Sequence, residues 1–355
     1  MKNSKAIKLI ALALICAVVL GACTGQQPVS PLAQPAPADT EPAQPTPAPA
    51  EAVPVPVEGE TVLQVGVVLQ APDSDYWNWS LVRAGALAMG EHLGVRVTVS
   101  APHANDDITG QIAMVEDMIA RGFDAIVLSG NDAQALVAAC LQARAAGIPV
   151  ITVENDINDP DARNVFVSTE NYAAAQLAGH FMLEVIPEGS DIAIIRGLPG
   201  EPTHDHRQDG FQGIAEAGGL NVVLVQPTNS NRASGASAAE NILQSFPHIR
   251  GIFATNDEMA LGALETVRAM GLAGQITIIG FGGLPDAIDS IIAGELTASA
   301  TQTPIAIGAA AVEAAVNILR GQAVPDHLPI DALILTQVNA LDYLDDLQVA
   351  LEVFA

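Results

Sequence analysis

The chain is 355 residues long, with 14 basic and 40 acidic side chains and a formal net charge of −26 at pH 7. That balance excludes nucleic acid and anionic membrane surfaces as partners, because both are held by clustered Lys and Arg. Lys2, Lys5 and Lys8 are the only lysines, and the other 11 basic residues are all arginine.

The three lysines precede an apolar run from Ile10 to Leu20 that ends in Leu20-Gly21-Ala22-Cys23. A basic start, a short apolar stretch and small residues before a cut describe a secretory signal, here over residues 1–22. The run is shorter than the roughly 20 residues that span a bilayer. Its ending resembles the bacterial lipobox, which implies lipidation of Cys23. Residues 23–60 are rich in Pro, Ala, Gln and Glu, as in Gln44-Pro-Thr-Pro-Ala-Pro49. Such a segment buries too little apolar surface to offset the entropy of ordering, and its prolines favour an extended, semi-rigid tether. Cys16 lies in the signal, so Cys140 has no internal disulfide partner and is expected in a core.

The body that follows is long for one domain and comfortable for two. Short apolar runs predict strands at 62–69, 95–100, 125–128, 149–153, 191–195, 222–225, 251–254, 276–281 and 297–301. Helical spacing predicts helices at 79–93, 108–121, 132–146, 171–185, 206–217, 233–246, 258–270, 284–293 and 304–320. This alternation means α/β architecture, with parallel sheets covered by helices on both faces. Residue pattern alone puts one boundary at Asn158-Asp-Pro-Asp161.

Ligand contacts in such sheets fall at the carboxyl ends of the strands. After the first strand come Asp73, Asp75, Tyr76, Trp77 and Trp79. Their rings suit stacking on an apolar sugar face, or stapling the next helix to the core. After the third come Ser129-Gly-Asn131-Asp132, with Asp132 placed to cap a helix. After the fourth come Glu154-Asn155-Asp156. Ile252-Phe-Ala254 is a buried-strand signal that ends in Asn256 and Asp257, with Asp257 as the N-cap of the next helix. His204-Asp205-His206 has metal-binding residue types, but residues two apart do not share a helix face, so no metal is expected. No nucleophile elbow, phosphate loop or dinucleotide fingerprint is present, so neither an enzyme nor a cofactor is expected.

Several stretches, in order, resemble the ribose- and galactose-binding periplasmic proteins, which share their fold with lactose-repressor-type effector domains. They are Ile148-Pro-Val-Ile-Thr152, Arg207-Gln-Asp-Gly-Phe211, Ile252 to Leu264, Ile279-Gly-Phe281 with Pro285-Asp286, and Ala300-Thr-Gln-Thr-Pro304. The resemblance implies two Rossmann-like lobes with parallel sheets joined by a three-strand hinge, the type I periplasmic binding fold. It places the crossings near 168–170, 302–304 and 331–334, giving lobes of 61–168 plus 303–331 and 169–302 plus 332–345.

The resemblance also implies roles. Arg207 would donate two hydrogen bonds into the cleft, and Asn256 and Gln302 match cleft positions. Trp79 takes the place of a stacking aromatic. Ser129 stands where ribose-binding members have a ligand-binding asparagine, with Asn131 as a nearby alternative. Glu154 keeps an acceptor where the pattern has Asp, while Asn155 replaces Arg. Gly282 stands where an acceptor Asp is usual, and Ser230 where an aromatic stacks. Gly282→Asp would therefore restore the family acceptor.

With Arg207 as the one strong cleft cation facing Glu154 and Asp75, a neutral ligand is expected. The implied function is a monomeric, exported, lipid-anchored solute-binding protein that passes a small neutral carbohydrate or polyol to an ABC permease. A sensory, chemotaxis or signalling-molecule receptor uses the same fold. A lactose-repressor-type regulator would need a basic helix-turn-helix where this chain has a signal and an acidic tether.

Overall fold

The computed structural model describes residues 62–71, 77–104 and 106–354. Cys23, the signal, the tether, Asp75 and Tyr76 lie outside the described residues, and Trp77 is described only as the first residue of a helix.

Twelve strands form two sheets among the described residues. The first contains β1 (Gln64–Val68), β2 (Arg96–Ser100), β3 (Ala125–Leu128), β4 (Val150–Val153), β5 (Val165–Thr169) and β11 (His327–Ile330). Their order is β11-β5-β4-β3-β1-β2, and every pairing is parallel. The second contains β6 (Asp191–Arg196), β7 (Asn221–Pro227), β8 (Gly251–Ala254), β9 (Thr277–Gly282), β10 (Ala298–Thr301) and β12 (Leu333–Thr336). Its order is β12-β10-β9-β8-β6-β7. It departs from the all-parallel expectation at one edge, where β12 runs antiparallel to β10. The short link between β11 and β12 sends the chain into the other sheet with its direction reversed relative to β10.

Helices α1 (Trp77–Leu93), α2 (Ile108–Ala120), α3 (Val137–Ala145) and α9 (Pro304–Leu319) cover the first sheet. Helices α4 (Asn171–Val185), α5 (Pro202–Ala217), α6 (Arg232–Ser245), α7 (Asp257–Ala269) and α8 (Pro285–Ile292) cover the second. Each sheet is buried on both faces, which is why β3, β4 and β8 read as unbroken apolar runs. Helices α1 and α9 approach closely because each carries a glycine at the contact. A Cβ at Gly85 would lie 1.9 Å from the carbonyl oxygen of Ile305, and one at Gly308 would lie 1.9 Å from that of Val82. Cys140 is fully buried on α3, and burial pushes its thiol up to about 12.

The expected helix at 132–146 begins later, at Val137. Asp132 caps the preceding turn instead, accepting from the N–H groups of Gln134 and Ala135 at 2.9 and 2.8 Å. Strands β5, β11 and β12 were not predicted as strands, and neither was α10 (Ala340–Phe354). Helix α10 packs against α1 and α8, elements that belong to opposite sheets. No described helix is long and apolar enough to cross a membrane.

Candidate functional site

The carboxyl ends of the two sheets face each other, and the polar side chains gathered there come from both. In the first lobe, Gln111 at the start of α2 is fully buried and organises two loops at once. Its Nε2 donates to the carbonyls of Leu69 and Ser129 at 3.0 and 2.7 Å, and its Oε1 accepts from the N–H of Asn131 at 2.8 Å. Ser129 is buried, with its Oγ 3.5 Å from Asn155 Nδ2. Asn155 also donates to Gln70 Oε1 at 3.2 Å.

Glu154 follows β4 with φ of 57°, a left-handed conformation that non-glycine residues rarely adopt and that collects at functional sites. That turn aims its carboxylate at the hinge. Oε1 accepts from the N–H and the Oγ1 of Thr169, both at 2.8 Å, and Oε2 accepts from Gln302 Nε2 at 3.0 Å. Thr169 ends β5 and Gln302 follows β10, so one carboxylate joins the first two chain crossings. The third is tied to the second by Thr303 Oγ1, which donates to the Asp331 carbonyl at 2.8 Å. Burial pushes the Glu154 carboxyl up, against the pull of Thr169, Arg207 and Gln302.

In the second lobe Arg207 lies on the inner face of α5 and is 8% exposed. Its Nε donates to Asn171 Oδ1 at 2.8 Å, and Nη1 donates to the Thr255 carbonyl at 2.9 Å. The guanidinium carbon stands 3.8 Å from the centre of the Phe281 ring, a close cation–π contact. Burial lowers its pKa to about 10, with Glu154 and Asp257 acting in the opposite direction. Among the described residues Nη2 donates to none.

Asn256, not Asp257, is the N-cap of α7: its Oδ1 accepts from the N–H of Met259 at 2.9 Å, and its Nδ2 donates to the Ser230 carbonyl at 2.9 Å. Asp257 lies one residue inside the helix and is 1% exposed. Its carboxylate accepts from the N–H groups of Gly283 and Leu284 at 2.6 and 2.8 Å and from Ser299 Oγ at 2.7 Å. It fixes the turn after β9 against β10.

The His204-Asp205-His206 run is split three ways. His204 points inward, with Nδ1 2.8 Å from Thr255 Oγ1 and Nε2 3.2 Å from Ser230 Oγ. Burial, then Arg207 and Arg196, lower its pKa to about 4. Asp205 pairs with Arg196, and His206 is exposed beside a cavity between the lobes. Trp79 is 7% exposed and packs in the core of the first lobe, so it presents little surface to a ligand. Sequence reasoning missed Gln111, Asn171 and Thr255, whose part is to hold backbone or other side chains in place.

The chain is similar to known proteins in sequence and in fold. The family described as a periplasmic binding protein domain matches residues 65–323. The ribose import binding protein of Bacillus subtilis (strain 168) is 36% identical over 234 residues, 66% of this chain and 75% of that protein. A solute-binding protein of Actinobacillus succinogenes 130z, solved with bound D-allose, has a TM-score of 0.69 at 26% identity, over 79% of this chain and 100% of the other. One from Bacillus halodurans C-125, solved with bound myo-inositol, has a TM-score of 0.65 at 27% identity, over 81% of this chain and 99% of the other. By sequence match and by its two parallel-dominated lobes, the chain belongs to the periplasmic binding protein family of the type I fold.

Proposed function

We propose that this protein is an extracytoplasmic solute-binding protein that closes its two lobes on a small neutral carbohydrate or polyol and delivers it to an ABC importer. The observation that carries the reading is the setting of Arg207. Its Nε and Nη1 are anchored inside the protein, which leaves Nη2 as the donor available to a ligand. A buried guanidinium needs a countercharge, and Glu154 provides one from the opposite lobe. The ligand therefore has no charge to supply, and hydroxyl oxygens suit the remaining donor.

The other contacts in this reading come from Ser129, Glu154 and Asn155 of the first lobe, Asn256 of the second and Gln302 at the hinge. The stacking ring in this reading comes from Tyr76 or Trp77, since Trp79 is packed in the core of the first lobe. Lobes of 61–168 plus 303–331 and 169–302 plus 332–345 would rotate about the three crossings, with ligand contacts favouring the closed state. The relatives named for ribose, or solved with D-allose or myo-inositol, support a polyhydroxylated, uncharged ligand. The Leu20-Gly-Ala-Cys23 motif and the proline-rich segment after it support export and lipid anchoring at Cys23, with the monomeric receptor facing the periplasm or cell exterior.

Calorimetry against pentoses, hexoses and cyclic polyols tests the reading. At least one should bind, and Arg207→Ala should weaken it by about 2–5 kcal/mol, because truncating one member of a buried charged hydrogen-bond set leaves the others unpaired. An unchanged affinity in Arg207→Ala would remove Arg207 from the site.

A further inference from the structure

We infer that the cleft continues into a second subsite that takes a second sugar ring, so that the preferred ligand is a neutral disaccharide rather than a free monosaccharide. This rests on the carbohydrate reading of the cleft given above.

A cavity of about 520 Å³ opens between the lobes beside the candidate site. Its first-lobe wall includes Asn131, Phe166 and His327, and its second-lobe wall includes Pro202, Thr203 and His206. It shares Asn131, Glu154, Asn155, Thr169 and Asn171 with the candidate site, whereas Arg207, Asn256 and Gln302 do not line it. The space is therefore additional to the position of a ring held by those three residues. It is large enough to be a ligand pocket in its own right, since such pockets run from about 300 to 1,000 Å³.

The walls have the chemistry for a sugar. Asn155, Thr203 and His206 are exposed in the cavity and together offer donors and acceptors to sugar hydroxyls. Phe166 and His327 are paired across β5 and β11, with ring centres 5.4 Å apart and planes inclined by 18°. They give one side of the cavity an aromatic wall suited to the C–H face of a sugar.

Charge argues for a neutral second ring. No lysine or arginine lines the cavity among the described residues. Three described carboxylates line it: Glu154 faces Arg207, Asp156 accepts from Arg163 Nε at 2.7 and 2.9 Å, and Glu170 is the third. A phosphate or carboxylate on the second ring would meet Glu170 and no lysine or arginine among the described lining residues.

The test is calorimetry on the full-length protein with D-ribose, D-allose, D-glucose and D-galactose set against maltose, cellobiose, trehalose and lactose. At least one disaccharide should bind ten times more tightly than its own component monosaccharide. Thr203→Trp, at an exposed position in the first turn of α5, fills the cavity from the second lobe and should abolish that margin. His327→Ala, which removes the exposed ring of the aromatic wall, should reduce disaccharide affinity at least tenfold. If monosaccharides bind and every disaccharide is weaker, the subsite is wrong while the carbohydrate reading stands. If the margin survives Thr203→Trp, the second ring lies elsewhere and the subsite is again wrong. If neither this panel nor cyclic polyols such as myo-inositol bind to protein with a normal melting curve, both readings fall.

Discussion

Gly282 illustrates how far a single residue can be read without its backbone. As sequence it is a lost acceptor, and Gly282→Asp looks like a restoration. In the structure Gly282 has φ of 138°, which L side chains rarely adopt, and a Cβ there would lie 3.3 Å from the carboxylate of Asp257. An aspartate would be strained and would set a second carboxylate against one that is already buried. Gly282→Asp should therefore lower stability by about 1–3 kcal/mol, measured by denaturant unfolding without ligand. A variant as stable as the parent would show that this turn relaxes freely. Arg207 and Glu154 could be named as candidates because they stand in stretches that resemble the sugar-binding family. Gln111, Asn171 and Thr255 could not, because what marks them is a partner 18 to 48 residues away. The hydrogen-bonding capacity of Asn256 and Asp257 was legible too, but the division of labour between neighbours was not. A one-residue shift moves the capping role from one to the other.

At the scale of elements, long helices and most buried central strands were readable because their apolar pattern is strong. Strand β5, buried between β4 and β11, was missed because Ser168 and Thr169 shorten its apolar run. Strands β11 and β12 are four-residue edge strands with mixed burial, and such short segments carry little periodic signal. Helix α10 is a different case. Leu344, Leu347, Leu351 and Phe354 repeat at helical spacing, so its signal was present beyond the end of the family resemblance. The helix spans both lobes: Leu347 is 3% exposed in the core of the second lobe, while Phe354 packs against that of the first. Leu81 of α1 is buried in the second-lobe cluster as well, and Tyr343 donates its hydroxyl to the Gln302 carbonyl at 3.3 Å. Helix α10 is thus part of the hinge region and not an appendage. Leu347→Ala should cost about 2–4 kcal/mol, as truncation of a buried leucine leaves a cavity. Urea unfolding measures this, and a cost below about 0.5 kcal/mol, the range of surface substitutions, would mean that α10 frays without consequence.

For the molecule as a whole, lobe architecture was foreseeable, but the lacing of its crossings was not. Glu154, Thr169 and Gln302 bind the first two crossings, Thr303 and Asp331 the second and third, and Tyr343 brings in α10. A ligand contacting both lobes across this hinge should therefore stabilise regions well outside the cleft, and Cys140 reports on one. Its thiol is fully buried and pushed up to about 12, so it reacts only when the region around it opens. Helix α3, which carries it, continues directly from the loop of Ser129 to Asp132, so opening α3 disturbs residues proposed to hold ligand. With Cys16→Ser and Cys23→Ser, Cys140 is the sole thiol. A ligand at a hundred times its Kd lowers the unliganded population by about a hundredfold, or about 2.7 kcal/mol. Labelling of Cys140 by a thiol reagent should slow by the same factor, provided opening and closing are fast relative to modification. If labelling at saturating ligand is as fast as without it, α3 opens independently of the site, and the first lobe is not one cooperative unit with its ligand.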